Sequence, residues 1–215
     1  MMEKLAALLP ASAKGKINAV WKGQLKSYWE SVDKKIPKVE FEEKHIQNLK
    51  PLLNREILLQ WMPKNGVVAE LGVDQGDFSQ KILSLCQPKK LHLVDFWGSE
   101  RYNQAKRNRV ETMFRQQMEA GELEINLGLS TQVVSAFPDQ YFDWIYIDTD
   151  HSYQTTHEEL EAYRTKMKPG GIIAGHDYIQ GNWNGSVRYG VMEAVAEFCV
   201  KYNWELLHIT LENAG

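Results

Sequence analysis

The chain has 215 residues, with 43% hydrophobic and 25% charged side chains and a formal net charge of −3, enough for one domain with a substantial core and an appendage. That balance gives no electrostatic case for nucleic acid or an anionic membrane as partner. No apolar run approaches the ~18 residues needed to span a bilayer. Cys86 and Cys199 are the two cysteines; each lies in an amphipathic helical pattern and reads as a small buried apolar residue, in keeping with a reducing, cytoplasmic setting. Ala11-Ser12-Ala13 imitates a signal-peptide end, but Pro10 interrupts an apolar stretch that is already short of the usual ~7–15 residues. The start therefore reads as a mature N-terminus.

Residues 1 to about 65 are rich in Lys and Glu, with scattered Trp, Leu and Ile. They predict short helices separated near Pro37 and Pro51. Trp21, Tyr28 and Trp29 either dock this segment on the main body or line a substrate entrance, so the segment is a candidate substrate cap. From residue 66 apolar runs and helical patterns alternate. Strands are predicted at 66–72, 90–97, 123–129, 142–148, 170–176 and 204–211, and helices at about 77–86, 101–119, 156–167 and 190–202. Leu160, Tyr163 and Met167 form one helical stripe, stopped by Lys168-Pro169-Gly170-Gly171; Val191, Val195, Phe198 and Tyr202 form another. The polar run Lys106-Arg107-Asn108-Arg109 reads as a solvated helix face. This alternation predicts an α/β fold, a Rossmann-like doubly wound sheet of mostly parallel strands with right-handed crossovers.

The polar residues fall at strand ends. Glu70 and Gly72 close the first strand, Asp95 the second, Gly128 and Ser130 the third, Asp148 and Asp150 the fourth, and His176 and Asp177 the fifth. One such residue is explained by a helix cap; five in succession on one rim describe a ligand crevice. Glycines at 72 and 76 let a bulky small molecule lie against backbone. Asp95, 25 residues after Glu70, stands where an acid accepts hydrogen bonds from ribose hydroxyls. Yet Gly72-Val73-Asp74-Gln75-Gly76 lacks the G-x-G-x-x-G spacing, and Asp74 and Asp77 oppose a pyrophosphate at the helix start. An acidic loop suits a ligand carrying positive charge.

With these residues in place, Glu70-Leu71-Gly72-x-x-x-Gly76, Asp95 and the Lys168-Pro169-Gly170-Gly171 turn resemble the class I S-adenosylmethionine-dependent methyltransferases over residues 66 to about 211. Ile147-Asp148-Thr149-Asp150-His151-Ser152-Tyr153, with Gly170-Gly171-Ile172-Ile173-Ala174-Gly175-His176-Asp177-Tyr178, resembles one branch of them. That branch holds the metal-dependent sugar O-methyltransferases, macrocin O-methyltransferase among them, and cephalosporin-hydroxylase-like proteins. The resemblance implies that Glu70, Gly72 and Gly76 hold the methionine and ribose part of S-adenosylmethionine, that Asp95 takes the ribose hydroxyls and that Ser130 lies near adenine. It implies Asp148 as a metal and cofactor contact, Asp150 as general base, and His176 and Asp177 as the pair completing a divalent metal site. Thr149 stands where the branch commonly has glycine, and His176 replaces the first aspartate of its pair. Magnesium prefers oxygen ligands, whereas imidazole favours zinc, iron or nickel, so the replacement bears directly on whether a metal binds and which.

The implied reaction is in-line displacement of the sulfonium methyl by an acceptor hydroxyl, sugar-like or from a natural product. The protein must align and deprotonate that acceptor. Asp150 and His151 are the candidate bases; His151 reads equally well as a structural hydrogen-bonding group, while His92 and His157 read as structural. Asn182, Trp183, Asn184 and Arg188 lie in a glycine-punctuated loop that forms either an acceptor wall or a plain connection. The family's sheet usually ends in an antiparallel hairpin, but here the chain stops at Gly215 soon after 204–211. Either that last strand is absent and the edge rebuilt, or the chain is a shortened product; a second copy would also cover the edge, making a homo-oligomer. The rival readings are a cofactor-binding module acting through partner association without transferase activity, and a nicotinamide oxidoreductase, which the turn disfavours.

Overall fold

The computed structural model describes residues 23–182 and 187–212. Five parallel strands form the central sheet: β2 (Val67–Leu71), β3 (Lys90–Asp95), β4 (Leu123–Leu127), β5 (Phe142–Ile147) and β6 (Met167–Gly175), in the order β4-β3-β2-β5-β6. The chain steps outward from β2 to β4 and returns to place β5 beside β2. That reversal opens a crevice beyond the carboxyl ends of β2 and β5.

The inner strands are apolar without alternation because both faces are covered. Val68, Leu91, Leu93, Trp144 and Tyr146 face Leu59 of α2 (Arg55–Trp61), Ile82 and Cys86 of α3 (Asp77–Cys86) and Val110 of α4 (Gln104–Met113). Ala69, Leu71, Ile145 and Ile147 face Leu160 and Tyr163 of α7 (Tyr153–Arg164) and Ala194 and Phe198 of α8 (Val191–Tyr202). Each fully buried Leu, Ile or Phe contributes about 1.5–3 kcal/mol. An earlier helix runs over 23–33 (α1); α5 (Arg115–Glu119) and α6 (Ser130–Val133) are short. Cys86 and Cys199 are free and buried, and burial pushes both thiols up to about 11. Among the described residues no helix is long and apolar enough to cross a membrane.

Local chemistry sets several boundaries. Gly76, left-handed at φ 88°, starts α3, whereas Asn103 and Ser152 cap α4 and α7 with side-chain oxygens. The predicted 101–119 helix divides at Phe114 (φ −109°, ψ 19°), whose ring is buried in the core rather than kept on a helix surface. The 156–167 helix is shifted: it starts at Tyr153 and ends at Arg164, and Met167 opens β6 instead. Lys168-Pro169-Gly170-Gly171 is taken up as an irregularity inside that strand, with Phe142 opposite Met167 and Trp144 opposite Ile172.

The N-terminal segment does not remain purely helical. Lys50–Leu52 (β1) pairs in parallel with His208–Thr210 (β7), and Leu59 and Met62 enter the core. The 204–211 run thus yields only a three-residue strand outside the central sheet, held by Leu206 N–H on His45 O (2.8 Å) and Lys50 N–H on Leu207 O (2.9 Å). Consequently β6 has no strand on its outer side among the described residues, and a cavity of about 310 Å³ lies between β6, α8 and residues 204–212. Tyr28 is exposed and Trp29 half-buried, while Trp21 lies outside the described residues.

Candidate active site

The turn after β2 is built around close backbone approach. Gly72 has φ 86°, and a Cβ there would lie 1.9 Å from the Asp148 carbonyl oxygen. Only glycine admits the end of β5 this closely. Gly76 is similar: a Cβ would lie 3.0 Å from the Phe114 ring and 3.3 Å from Val110. Asp95 braces the turn from β3, its Oδ2 accepting the N–H groups of Val73 (2.8 Å) and Asp74 (3.1 Å) and its Oδ1 that of Trp97 (2.9 Å). Trp97 in turn donates its indole N–H to Asp74 O at 2.7 Å.

The acidity of this turn is balanced within the protein. Lys106 pairs with Asp74, and Arg109 donates to Gln75 (2.7 Å) and Asp77 (2.8 Å). Two cations of the run read as a solvated face are therefore committed to the glycine turn, and the acidic loop does not by itself select a cationic ligand.

Two buried carboxyls fasten the crevice. Glu70 is fully buried and accepts a hydrogen bond from Ser79 Oγ; burial raises it well above the usual carboxylate range. Glu159, on α7, accepts from Ser130 Oγ and from Thr149 Oγ1 (2.9 Å). Burial pushes Glu159 up to about 7, against the opposing pull of those two hydroxyls. Tyr163 O–H donates to Ser130 O at 3.2 Å. Ser130 is thus tied to the β5 loop, and Thr149 earns its place as a donor to Glu159. A glutamate inside a helix reads as surface, and no local pattern marks this one as buried.

At the ends of β5 and β6 four polar side chains meet. Asp148 is fixed by its N–H on Leu71 O at 2.7 Å. Its Oδ1 lies 3.7 Å from His151 Nε2 and 3.6 Å from His176 Nδ1; Asp177 lies 3.3 Å from the former nitrogen and 3.2 Å from the latter. His151 and Asp177 both occupy left-handed backbone, at φ 60° and 53°. Burial raises the Asp148 carboxyl, with the two imidazoles opposing. Burial alone would lower His176 and raise Asp177, but their mutual attraction outweighs it, with Asp148 adding to the effect at His176 and His151 at Asp177: His176 is raised and Asp177 lowered. Arg55, on α2, pairs with Glu212 at 3.0 Å, lies over the Phe78 ring at 5.6 Å and borders the same cavity as His151, His176 and Asp177. The sequence pattern did not single it out.

Asp150 is exposed, and its oxygens accept from Ser152 N–H (2.8 Å) and Thr155 Oγ1 (2.9 Å) at the start of α7. Arg188 is held by Asp33 (2.9 Å) and Glu193; Trp183 and Asn184 lie outside the described residues. His92 is structural, bonded at 3.0 Å to both Asn126 and Tyr141, and His157 faces Glu197 at 3.6 Å.

The Asp148, His151 and His176 ligand atoms all lie within 4.8 Å of one another, and His176 Nδ1 is buried without a hydrogen-bond partner. This donor set fits a divalent cation that accepts imidazole.

Known proteins agree with this architecture. No curated protein sequence matches the chain. Among solved structures, an rRNA-methylase candidate from Clostridium thermocellum superposes with TM-score 0.52 at 13% identity, covering 68% of this chain and 76% of that one. The precorrin-6y C5,15-methyltransferase of Geobacter metallireducens gives 0.50 at 12%, covering 69% and 67%. The chain spans less than half of a candidate sarcosine dimethylglycine methyltransferase from Galdieria sulphuraria, which has TM-score 0.43 at 13% identity and coverage of 56% and 43%. The first two likenesses support the fold. The sequence profile of a methyltransferase-domain family matches residues 69–178, half of the chain and the whole stretch from the glycine turn to the β6 cluster. The chain belongs to that methyltransferase-domain family.

Proposed function

We propose that this protein transfers the methyl group of S-adenosylmethionine to a hydroxyl oxygen of a small molecule, sugar-like or from a natural product, as in the metal-dependent O-methyltransferase branch. The observation carrying this reading is the contact between Gly72 and Asp148. It puts the nucleoside turn directly against the polar cluster at the ends of β5 and β6, so a methyl donor at one meets an acceptor at the other.

Gly72 and Gly76 admit the cofactor to the backbone, while Asp95 and Ser130 set the positions of its two flanking loops. Asp148, His151, His176 and Asp177 would hold a divalent cation, which when bound lowers the pKa of a hydroxyl and fixes its position. Of the two candidate bases we assign Asp150. His151 Nε2 is engaged by Asp148 and Asp177, whereas Asp150 is exposed and each of its oxygens keeps a further lone pair. A hydroxyl is a poor nucleophile near neutral pH, so proton removal must accompany attack on the methyl carbon.

The test is release of S-adenosylhomocysteine from a panel of hydroxylated acceptors, with and without EDTA, alongside calorimetric titration with S-adenosylmethionine. Turnover that EDTA suppresses is expected. Cofactor binding with no turnover on any acceptor would favour the non-catalytic module, and turnover confined to RNA would overturn the small-molecule reading.

A further inference from the structure

We infer that the cluster at the ends of β5 and β6 is a transition-metal site, holding a divalent cation of the zinc, iron, cobalt or nickel type through Asp148 Oδ1, His151 Nε2 and His176 Nδ1, and that it discriminates against magnesium. The inference deepens the proposed function and rests on that reading for its catalytic meaning; its geometry stands alone.

Three separate places in the chain supply the ligands: the end of β5, the loop before α7 and the end of β6. Around one ion with bonds of about 2.0–2.2 Å, neighbouring ligand atoms lie roughly 3–3.5 Å apart. The separations of 3.6 and 3.7 Å from Asp148 Oδ1 to the two nitrogens are within a few tenths of an ångström of that. The two nitrogens lie within 4.8 Å of each other, so side-chain shifts of about an ångström bring all three atoms onto one cation.

The donors choose the metal class. Two imidazoles and one carboxylate form the set that suits iron, cobalt, nickel or zinc, whereas magnesium prefers oxygen ligands and gives up its water reluctantly. A magnesium site would use His151 and His176 poorly. His176 Nδ1 supplies the independent sign: a buried nitrogen without a hydrogen bond of good geometry, 3.2 Å from Asp177 and 3.6 Å from Asp148, the same two carboxylates that His151 Nε2 faces. Asp177 lies against both rings and can fix their orientation or add a fourth ligand atom. His151 reaches the cluster through left-handed backbone, which a residue with a Cβ seldom adopts.

The test uses the full chain freed of metal by chelator and titrated separately with cobalt(II), zinc(II) and magnesium(II). Expected is one equivalent of cobalt with visible d–d bands characteristic of nitrogen ligation, displaced by zinc, and magnesium binding at least ~100-fold weaker. His151→Ala and His176→Ala should each remove the cobalt spectrum, Asp177→Asn should weaken zinc ~10–100-fold, and His176→Asp should move preference toward magnesium. Titration of each variant with S-adenosylmethionine reports whether fold and cofactor turn are intact. Magnesium binding as tightly as zinc, or a cobalt spectrum surviving both histidine variants with cofactor binding intact, overturns the metal assignment. Zinc and cobalt binding as expected, with no methyl transfer to any hydroxyl, sustains the metal site and sinks the functional reading instead.

Discussion

The two halves of the crevice use similar residues to opposite ends. On the β2–β3 side, Asp74, Asp77 and Asp95 are all satisfied: Lys106, Arg109 and three backbone N–H groups take up their charge. On the β5–β6 side, Asp148, Asp177, His151 and His176 converge, with His176 Nδ1 facing two carboxylates without a hydrogen bond, beside a strand edge that no other strand covers among the described residues. The first half is a finished cradle, preorganised to hold a ligand by shape. The second keeps its polarity in reserve, and it is there that the proposed function puts the reaction. A strand-end carboxylate therefore says little until its partners are counted.

The sharpest way to break this division is at the point where the halves touch. Gly72→Ala would drive a Cβ into the Asp148 carbonyl from a left-handed backbone position. It is expected to destabilise the fold by at least ~3 kcal/mol and to abolish S-adenosylmethionine binding, measured by denaturant unfolding and calorimetry. A variant of near-normal stability that still binds cofactor would show that the two halves are not mechanically joined. Next in size is Asp150→Asn, which keeps the acceptor for Ser152 N–H. Turnover should fall ~10²–10⁴-fold with cofactor affinity unchanged. Equal loss of both would remove Asp150 as base.

How much of this was legible in sequence follows the same division. The glycine turn, the strand ends and the parallel sheet were all written in local pattern: apolar runs, glycine spacing, one acid at each strand end. The helix predicted at 77–86 is the one observed, because its start is a glycine and its core face is regular. What escaped depended on partners distant along the chain. The compensation of Asp74 by Lys106 spans 32 positions and that of Ser130 by Glu159 spans 29, and neither acid nor base carries a local mark of its partner. The fate of 204–211 was equally hidden. Its apolar pattern suits any sheet edge, and its pairing with Lys50–Leu52 was decided by contacts with the N-terminal segment.

Glu159 tests whether the cradle's far wall is held by a proton. Its folded pKa, pushed up to about 7, lies above the ordinary value of 4.5, so the folded state binds the proton more tightly than the unfolded chain does. The stabilisation is complete below about pH 4.5 and is lost as pH rises through about 7, a swing of roughly 3 kcal/mol. Glu159→Gln should flatten the dependence of the unfolding midpoint between pH 5 and pH 8. If the wild-type midpoint is already flat there, the two hydroxyls offset the cost of burying the carboxylate and no proton is held at this wall.

The smallest effect asks whether the cradle's charge balance matters for binding or only for tidiness. The Lys106–Asp74 and Arg109–Asp77 pairs are partly exposed, and such pairs are worth about 0–1 kcal/mol each because water screens them and ordering long side chains opposes them. Lys106→Gln with Arg109→Gln should therefore leave stability within ~2 kcal/mol of wild type. The same change uncovers Asp74 and Asp77 beside the cofactor turn. If the compensated cradle selects by shape, affinity for S-adenosylmethionine, which carries a sulfonium, and for S-adenosylhomocysteine, which does not, should shift together. If affinity for the cation alone rises, and the rise disappears at high salt, the turn also reads charge, and the contrast between a satisfied half and a reserved half must be drawn less sharply.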